Sequence, residues 1–379
     1  MQALSAVRHT RVVFAFALIT SACRRNEPVE PVPPVLEIAY VASFLLPRAT
    51  AIESIEIGGI SALAHESESG LWLALSDAHL PSRFYELEVS SEGRALTVAP
   101  RRAVVLQGAE GQDTEGIARA PWGDLLVSTE GDADREPVLQ PRLLEFDRAG
   151  ALLRNFEISE KFLFAGSPQE RGIRDNLGFE SLALSPDGKR VFVGAEGTLV
   201  QDGPVAGVAS VGFSRIIVYG VEGQDLSEAH EYVYPLGPFA PVPEYREQEV
   251  TGGLVELVSL GGDRLLALER LFIRELSGEK RDRNQARIFN VDLSSATDVK
   301  SIDSLGASAD WRPVTKELVL DLDDVLGELS SEYPRLDNLE AMGLGPELPG
   351  GGRALLLASD DNFQNKQRTQ FLLFRLKGV

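Results

Sequence analysis

The stretch that decides the fold is Asp175-Asn-Leu-Gly-Phe-Glu-Ser-Leu-Ala-Leu-Ser-Pro-Asp-Gly-Lys-Arg-Val-Phe-Val-Gly-Ala-Glu196. Phe179 to Leu184 alternates as a half-buried strand does. Ser185-Pro-Asp-Gly188 has the turn chemistry in which Pro presets φ and Gly supplies φ > 0, and Val191 to Ala195 is a short apolar strand. The segment therefore reads as a hairpin with Glu180 in its first strand and Glu196 at the end of its second.

The same pattern recurs four times. Gly59 to Ala64 pairs with Leu73 to Asp77, Thr114 to Ala118 with Gly123 to Glu130, Gly253 to Val258 with Gly262 to Glu269, and Asn338 to Met342 with Ala354 to Asp360. The first polar position in the five units is Ser61, Glu115, Glu180, Glu256 or Glu340, and the second is Asp77, Glu130, Glu196, Glu269 or Asp360. Four of the five units pair acid with acid.

A third strand follows each hairpin, beginning at Arg83, Arg142, Arg215, Arg287 or Gln370, and a fourth is expected near residues 102–106, 153–158, 231–236 and 317–322. The last unit lacks its fourth strand, which Leu36 to Phe44 is expected to supply, closing a ring. Units of four strands spaced by several tens of residues, with no helical period in most of the chain, are the signature of a β-propeller. The chain is thus all-β, with five four-stranded blades; six stays open, because the segments 201–213 and 237–252 are long enough to hold a degenerate blade.

Residues 1–22 read as a signal peptide: Arg8 and Arg11 form a basic start, Val12 to Ile19 is an apolar run too short to span a bilayer, and Thr20-Ser-Ala22 offers small residues for cleavage. We therefore expect export to the periplasm or the cell surface. Cys23, the one cysteine of the chain, stands where a lipoprotein leader places its lipid-attachment cysteine, although Thr20 replaces the usual Leu. The alternative is plain cleavage after Ala22 with a free thiol left behind. Residues 23–35, rich in proline, read as a tether, and 36–379 as one propeller domain.

Of the 37 Lys and Arg, two lie in the leader, which has no acids; the remaining 35 against 57 Asp and Glu give a balance of −22. Such a surface repels nucleic acid, so no nucleic-acid partner is expected, and the membrane is reached through the lipid anchor only. It suits divalent cations. The chain is expected to act as a monomer on a small-molecule phosphate ester.

Several mechanisms are set aside by the motifs. There is no Gly-x-Ser-x-Gly elbow, no Gly-rich loop ending in Gly-Lys-Ser/Thr and no Arg-His-Gly, and His65, His79 and His230 lack zinc-ligand spacing. Carboxylates are plentiful. The inner strands of a propeller surround its axis, so a polar residue repeated once per blade becomes a ring at one mouth of the channel. Like charges confined in this way raise one another's pKa unless a counter-charge is present. Ca²⁺, which takes roughly six to eight hard oxygen ligands, would supply it.

On this reading Glu115, Glu130, Glu196, Glu269, Glu340 and Asp360 are the metal ligands. Glu180 and Glu256 are catalytic together with Arg270, which would neutralise phosphate oxygens, and Asp77, Asn176, Asn338 and Asn362 contact substrate. Each acid taken alone has a structural alternative, in which it accepts backbone N–H groups or pairs with the arginines that open the third strands.

Gly59-Ile-Ser61 with Leu75-Ser-Asp77, Asp113-Thr-Glu-Gly116 with Ser128-Thr-Glu130, Asn176-Leu-Gly-Phe-Glu180, Ala195-Glu196 with Gln201-Asp-Gly203, Leu268-Glu-Arg270, Asn338-Leu-Glu340 and Ser359-Asp-Asp-Asn-Phe363 carry a resemblance. Together, and in this order from about Ile60 to Leu376, they resemble the phytase-like family described as having esterase-like activity. Ala62 and Ala341 stand where the family pattern often has Gly, which would narrow the approach of backbone to a ligand. The resemblance implies a propeller similar to the calcium-dependent β-propeller phytases, and with it a calcium-dependent phosphomonoester or phosphodiester hydrolase. A non-catalytic envelope propeller that binds calcium and a protein or carbohydrate partner is the alternative.

Overall fold

The computed structural model describes residues 35–78, 80–166, 168–277, 281–308 and 310–379. The expected leader, Cys23 and all but the last residue of the expected tether lie outside them. Strand β1 (Glu37–Leu45) is followed by a two-residue ribbon, β2 (Ala51–Ile52) and β3 (Ile55–Glu56). The first full blade is β4 (Ile60–Glu66), β5 (Leu71–Ser76), β6 (Arg83–Glu92) and β7 (Ala95–Val105); the second is β8 (Thr114–Arg119), β9 (Leu125–Thr129), β10 (Arg142–Phe146) and β11 (Leu152–Phe156). The third is β12 (Phe179–Leu184), β13 (Arg190–Ala195), β14 (Gly212–Glu222) and β15 (Asp225–Leu236), and the fourth is β16 (Gln248–Gly261), β17 (Arg264–Glu275), β18 (Asp282–Asp292) and β19 (Thr315–Asp321). The fifth holds β20 (Asn338–Glu347), β21 (Arg353–Asp360) and β22 (Gln370–Lys377), with β1 as its outer strand, in the order β1-β22-β21-β20.

Each blade is an antiparallel meander, and the inner strands β4, β8, β12, β16 and β20 pack in sequence around the axis, β20 meeting β4. The segments left open as a sixth blade do not form one. Residues 203–211 are a loop, and 248–252 are the start of β16. After β19 the chain forms a 3-10 segment, Leu322–Glu328, whose first turn is capped by the Asp321 carboxylate.

Period-two alternation sorts the side chains between neighbouring interfaces. In β13, Phe192 joins Ile216, Val218 and Tyr234 against Leu254, Leu257 and Leu265 of the fourth blade, whereas Val191 and Val193 join Phe179, Ile217 and Tyr219 against Leu126 and Leu143 of the second. One such apolar layer lies at each of the five blade junctions. A single blade cannot bury both of its faces, so burial requires the closed ring. The β12–β13 turn behaves as its residues dictate: Gly188 takes φ 69° and donates its N–H to the Ser185 carbonyl at 2.8 Å.

Closure depends on β1, which pairs with β22 from Glu37 opposite Lys377 to Leu45 opposite Gln370. Removing residues 35–45 would expose the β22 edge and unsupport the junction with the first blade. The shortened protein is expected to lose its cooperative unfolding transition and to associate, as read by thermal melting and size-exclusion chromatography; a monomer that melts like the full chain would contradict this closure.

Candidate metal centre

The site is built by a bulge repeated in the inner strands. In β4, β8, β12 and β20 the ladder to the next strand skips one residue, and the skipped residues are Ser61, Glu115, Glu180 and Glu340. A bulge takes a side chain out of strict alternation and re-aims it. Glu115, Glu180 and Glu340 accordingly line a cavity of about 860 Å³ at one mouth of the channel. Ser61 instead donates to the Thr114 carbonyl at 3.0 Å.

The second acids follow the ends of the second strands. Asp77, Glu130 and Glu196 each donate a backbone N–H to the carbonyl of the residue just before their blade's inner strand, namely Gly59 (2.8 Å), Asp113 (3.1 Å) and Gly178 (2.7 Å). Asp360 pairs with Asn338. Asp77, Glu130 and Asp360 line the cavity, and Glu196 reaches it through Arg270.

The fourth blade departs from the expected pattern by one residue. Its skipped residue is Val255, and Glu256 pairs with Leu268. The Glu256 carboxylate turns into the wall between blades, where it accepts from the N–H groups of Leu257 (2.9 Å) and Leu182 (3.4 Å). Glu269 lies opposite Leu254, the place that Ser76, Thr129, Ala195 and Ser359 take in the other blades. Its carboxylate is buried against Lys316 and the Tyr234 hydroxyl, which donates at 2.7 Å. The next residue, Arg270, opposes Gly253 and occupies the fourth blade's position in the ring. The structure thus brings Glu115, Glu130, Glu180, Glu196, Glu340, Asp360, Asp77, Asn338 and Arg270 together and leaves Glu256 and Glu269 out.

Asn176 and Asn362, both in the left-handed region, line the cavity at its exposed edge. Asp113 is an addition that hairpin pairing missed, because it precedes its strand; its nearness to Glu115 in the chain was the available signal. The third-strand arginines stand elsewhere. Fully buried Arg215 pairs with Asp202 and Glu231, Arg287 pairs with Asp321, and Arg83 donates to Tyr85 and the Pro81 carbonyl.

Arg270 is the cation at the centre. It bridges Glu196 and Glu340, each at 2.9 Å, and donates to the Asn338 side-chain oxygen at 2.7 Å. Asn338 returns its amide to Glu340 (2.9 Å) and Asp360 (3.2 Å). One guanidinium cannot offset eight carboxyl groups. Burial pushes Glu130 up to about 8, with Glu196 and Asp113 adding to it, and pushes Asp77 up to about 8, with Glu340 adding most among its neighbours. Glu340 is raised to about 7 by burial despite Arg270, while burial holds Glu115, Glu180 and Asp360 well above the carboxylate range, with Glu180 adding most to Glu115, Glu130 to Glu180 and Glu340 to Asp360.

These residues fit a hard cation. Carboxylate oxygens of Asp113, Glu115 and Glu130, and those of Glu130, Glu180 and Glu196, fall in two groups within 4.8 Å, sharing Glu130. Glu196 Oε2 and Asp77 Oδ1 are buried without a hydrogen-bond partner, as unused ligand atoms would be.

Comparison with known proteins agrees with the architecture. Residues 55–363 match the family model Phytase-like, described as esterase-like activity of phytase, and the chain belongs to that family. A search of curated proteins gives no match. Among solved structures, a high-resolution structure of Penicillium chrysogenum alpha-L-arabinanase complexed with arabinobiose is similar over 70% of this chain and 63% of its own, at 13% identity and a TM-score of 0.31. This chain therefore spans less than two thirds of that enzyme, a likeness too slight to carry an argument.

The raised carboxyl groups fix a sign. Their folded pKa values exceed those of the unfolded chain, so the stability they contribute is full below about pH 4 and is lost as pH rises through about 7 and 8. In chelator, the melting temperature is expected to fall between pH 5 and pH 9, and millimolar Ca²⁺ is expected to flatten that fall. A melting temperature independent of pH in chelator would contradict the electrostatic reading.

Proposed function

We propose that the protein is an exported, calcium-dependent phosphoester hydrolase whose centre is the acidic mouth of the propeller. The observation that supports this most is the convergence of eight carboxyl groups on one arginine, with two buried carboxylate oxygens left unpartnered. Asp113, Glu115 and Glu130 would hold one cation, and Glu130, Glu180 and Glu196 a second. Phytase-like propellers are generally calcium-binding, which favours calcium. Bound calcium would offset the charge of a phosphoryl group and favour attack by water.

The chain's own groups supply the rest. The Glu340–Asn338–Asp360 set orients Arg270, whose Nε has no partner and can donate to a phosphoryl oxygen. Arg274, Arg283, Arg335 and Lys366 line the outer part of the same cavity and attract an anion over the acids beneath. Hydrolysis forms a bond from water oxygen to phosphorus and breaks the bond to the ester oxygen, which leaves carrying a proton. The leader-like segment 1–22 and Cys23 favour action outside the cytoplasm, from a lipid anchor.

A panel of phosphomonoesters and phosphodiesters, assayed with Ca²⁺ and with chelator, tests the reading. Turnover is expected only with the cation. Glu180→Gln is expected to lower both cation affinity and turnover at least about 100-fold, whereas Glu256→Gln lowers the melting temperature and leaves cation affinity unchanged. Equal activity in chelator would overturn the mechanism, and calcium binding with no turnover on any ester would favour a non-catalytic propeller.

A further inference from the structure

Beside the acidic mouth lies a second cavity of about 570 Å³, lined by Glu56, Asp77, Ala78, Leu80, Arg83, Asn362 and Phe363. It shares Asp77 and Asn362 with the main cavity, so the two are contiguous. Its character is different. Leu80 is 78% exposed and Phe363 41%, the one on the β5–β6 loop and the other on the β21–β22 loop.

Phe363 is held in place by construction. It and Asn362 take φ of 51° and 46°, a region that costs a bulky residue energy and persists where surrounding contacts impose it. Here the Asn362 N–H donates to Asp360 at 2.6 Å and the Phe363 N–H to Asp361 at 3.2 Å, while Asp361 also accepts from Gly59 N–H and Thr369 hydroxyl, both at 3.0 Å. The ring lies over Gly58 and Gly59, where an added Cβ would come within 3.0 Å and 2.7 Å of it. Beneath it, the buried Arg83 guanidinium sits 5.3 Å from the ring centroid. Glycines, turn carboxylates and a buried cation together present an aromatic face toward solvent next to the site.

We propose that this cavity is the subsite for the alcohol portion of the substrate, and that the substrate is a phosphoester with an apolar alkyl or aryl group. The inference rests on the phosphoester reading of the acidic mouth and specifies its substrate class. With the phosphoryl group at Arg270 and the acids, the ester oxygen points past Asp77 and Asn362, and the apolar group covers Leu80 and Phe363. Burial of added methylenes there favours longer esters.

The test compares methyl phosphate with hexyl phosphate, whose leaving alcohols are of similar basicity, or the matched diesters if only diesters are turned over. The hexyl ester is expected to show a kcat/KM about tenfold or more above the methyl ester. Phe363→Ser and Leu80→Ser are expected to erase that preference while leaving methyl phosphate turnover and calcium affinity unchanged. Equal kcat/KM for the two esters, or a preference that survives both variants, overturns the subsite. If no ester is hydrolysed, the hydrolase reading fails separately, and calorimetry with methylphosphonate and hexylphosphonate decides the subsite. Tighter hexylphosphonate binding that Phe363→Ser abolishes supports it, and equal binding refutes it.

Discussion

The structure turns on one electrostatic constraint: carboxyl groups from four blades face one channel mouth, and the single guanidinium of Arg270 is bound among them. Its contacts with Glu196, Glu340 and Asn338 tie the third, fourth and fifth blades together at the axis. Buried like charges raise one another's proton affinity, so in the absence of another cation the folded chain holds protons that the unfolded chain would release. The same repulsion makes the mouth a place where a cation of higher charge is favoured.

The propeller makes this arrangement possible at a cost in local regularity. Apolar layers at all five junctions hold the blades at fixed angles, and β1 closes the ring so that no junction is left open. Within that frame, one skipped residue per inner strand aims a side chain at the cavity in three blades, and in the same blades the acid at or just past the end of the second strand stands beside it. The scaffold is stabilised by burial; the site is the part that burial disfavours.

Much of the fold was legible in the sequence because its signals are local. Ser185-Pro-Asp-Gly188 announces its turn, and alternation such as Phe192 between Val191 and Val193 places strands, while repetition of the unit counts the blades. The site was legible only up to register. Aligning acid with acid put Glu256 and Glu269 in the ring, but the ladder of the fourth blade skips Val255, so Arg270 takes the ring position and the two acids turn into the wall. A shift of one residue moves a side chain to the other face of a strand, and a bulge is invisible to a periodicity argument. Asp113 escaped because it belongs to a connection rather than to a paired strand, and the Phe363 platform because its φ depends on Asp361, Gly58 and Gly59 acting together.

Whether the acidic mouth is a metal centre is tested most directly by diffraction from crystals grown with Ca²⁺, with anomalous scattering used to locate each ion. The expected result is one calcium bonded to Asp113, Glu115 and Glu130 and a second bonded to Glu130, Glu180 and Glu196, with Arg270 still held by Glu340. A mouth free of calcium at saturating concentration, with its carboxyl groups paired to one another, would contradict it.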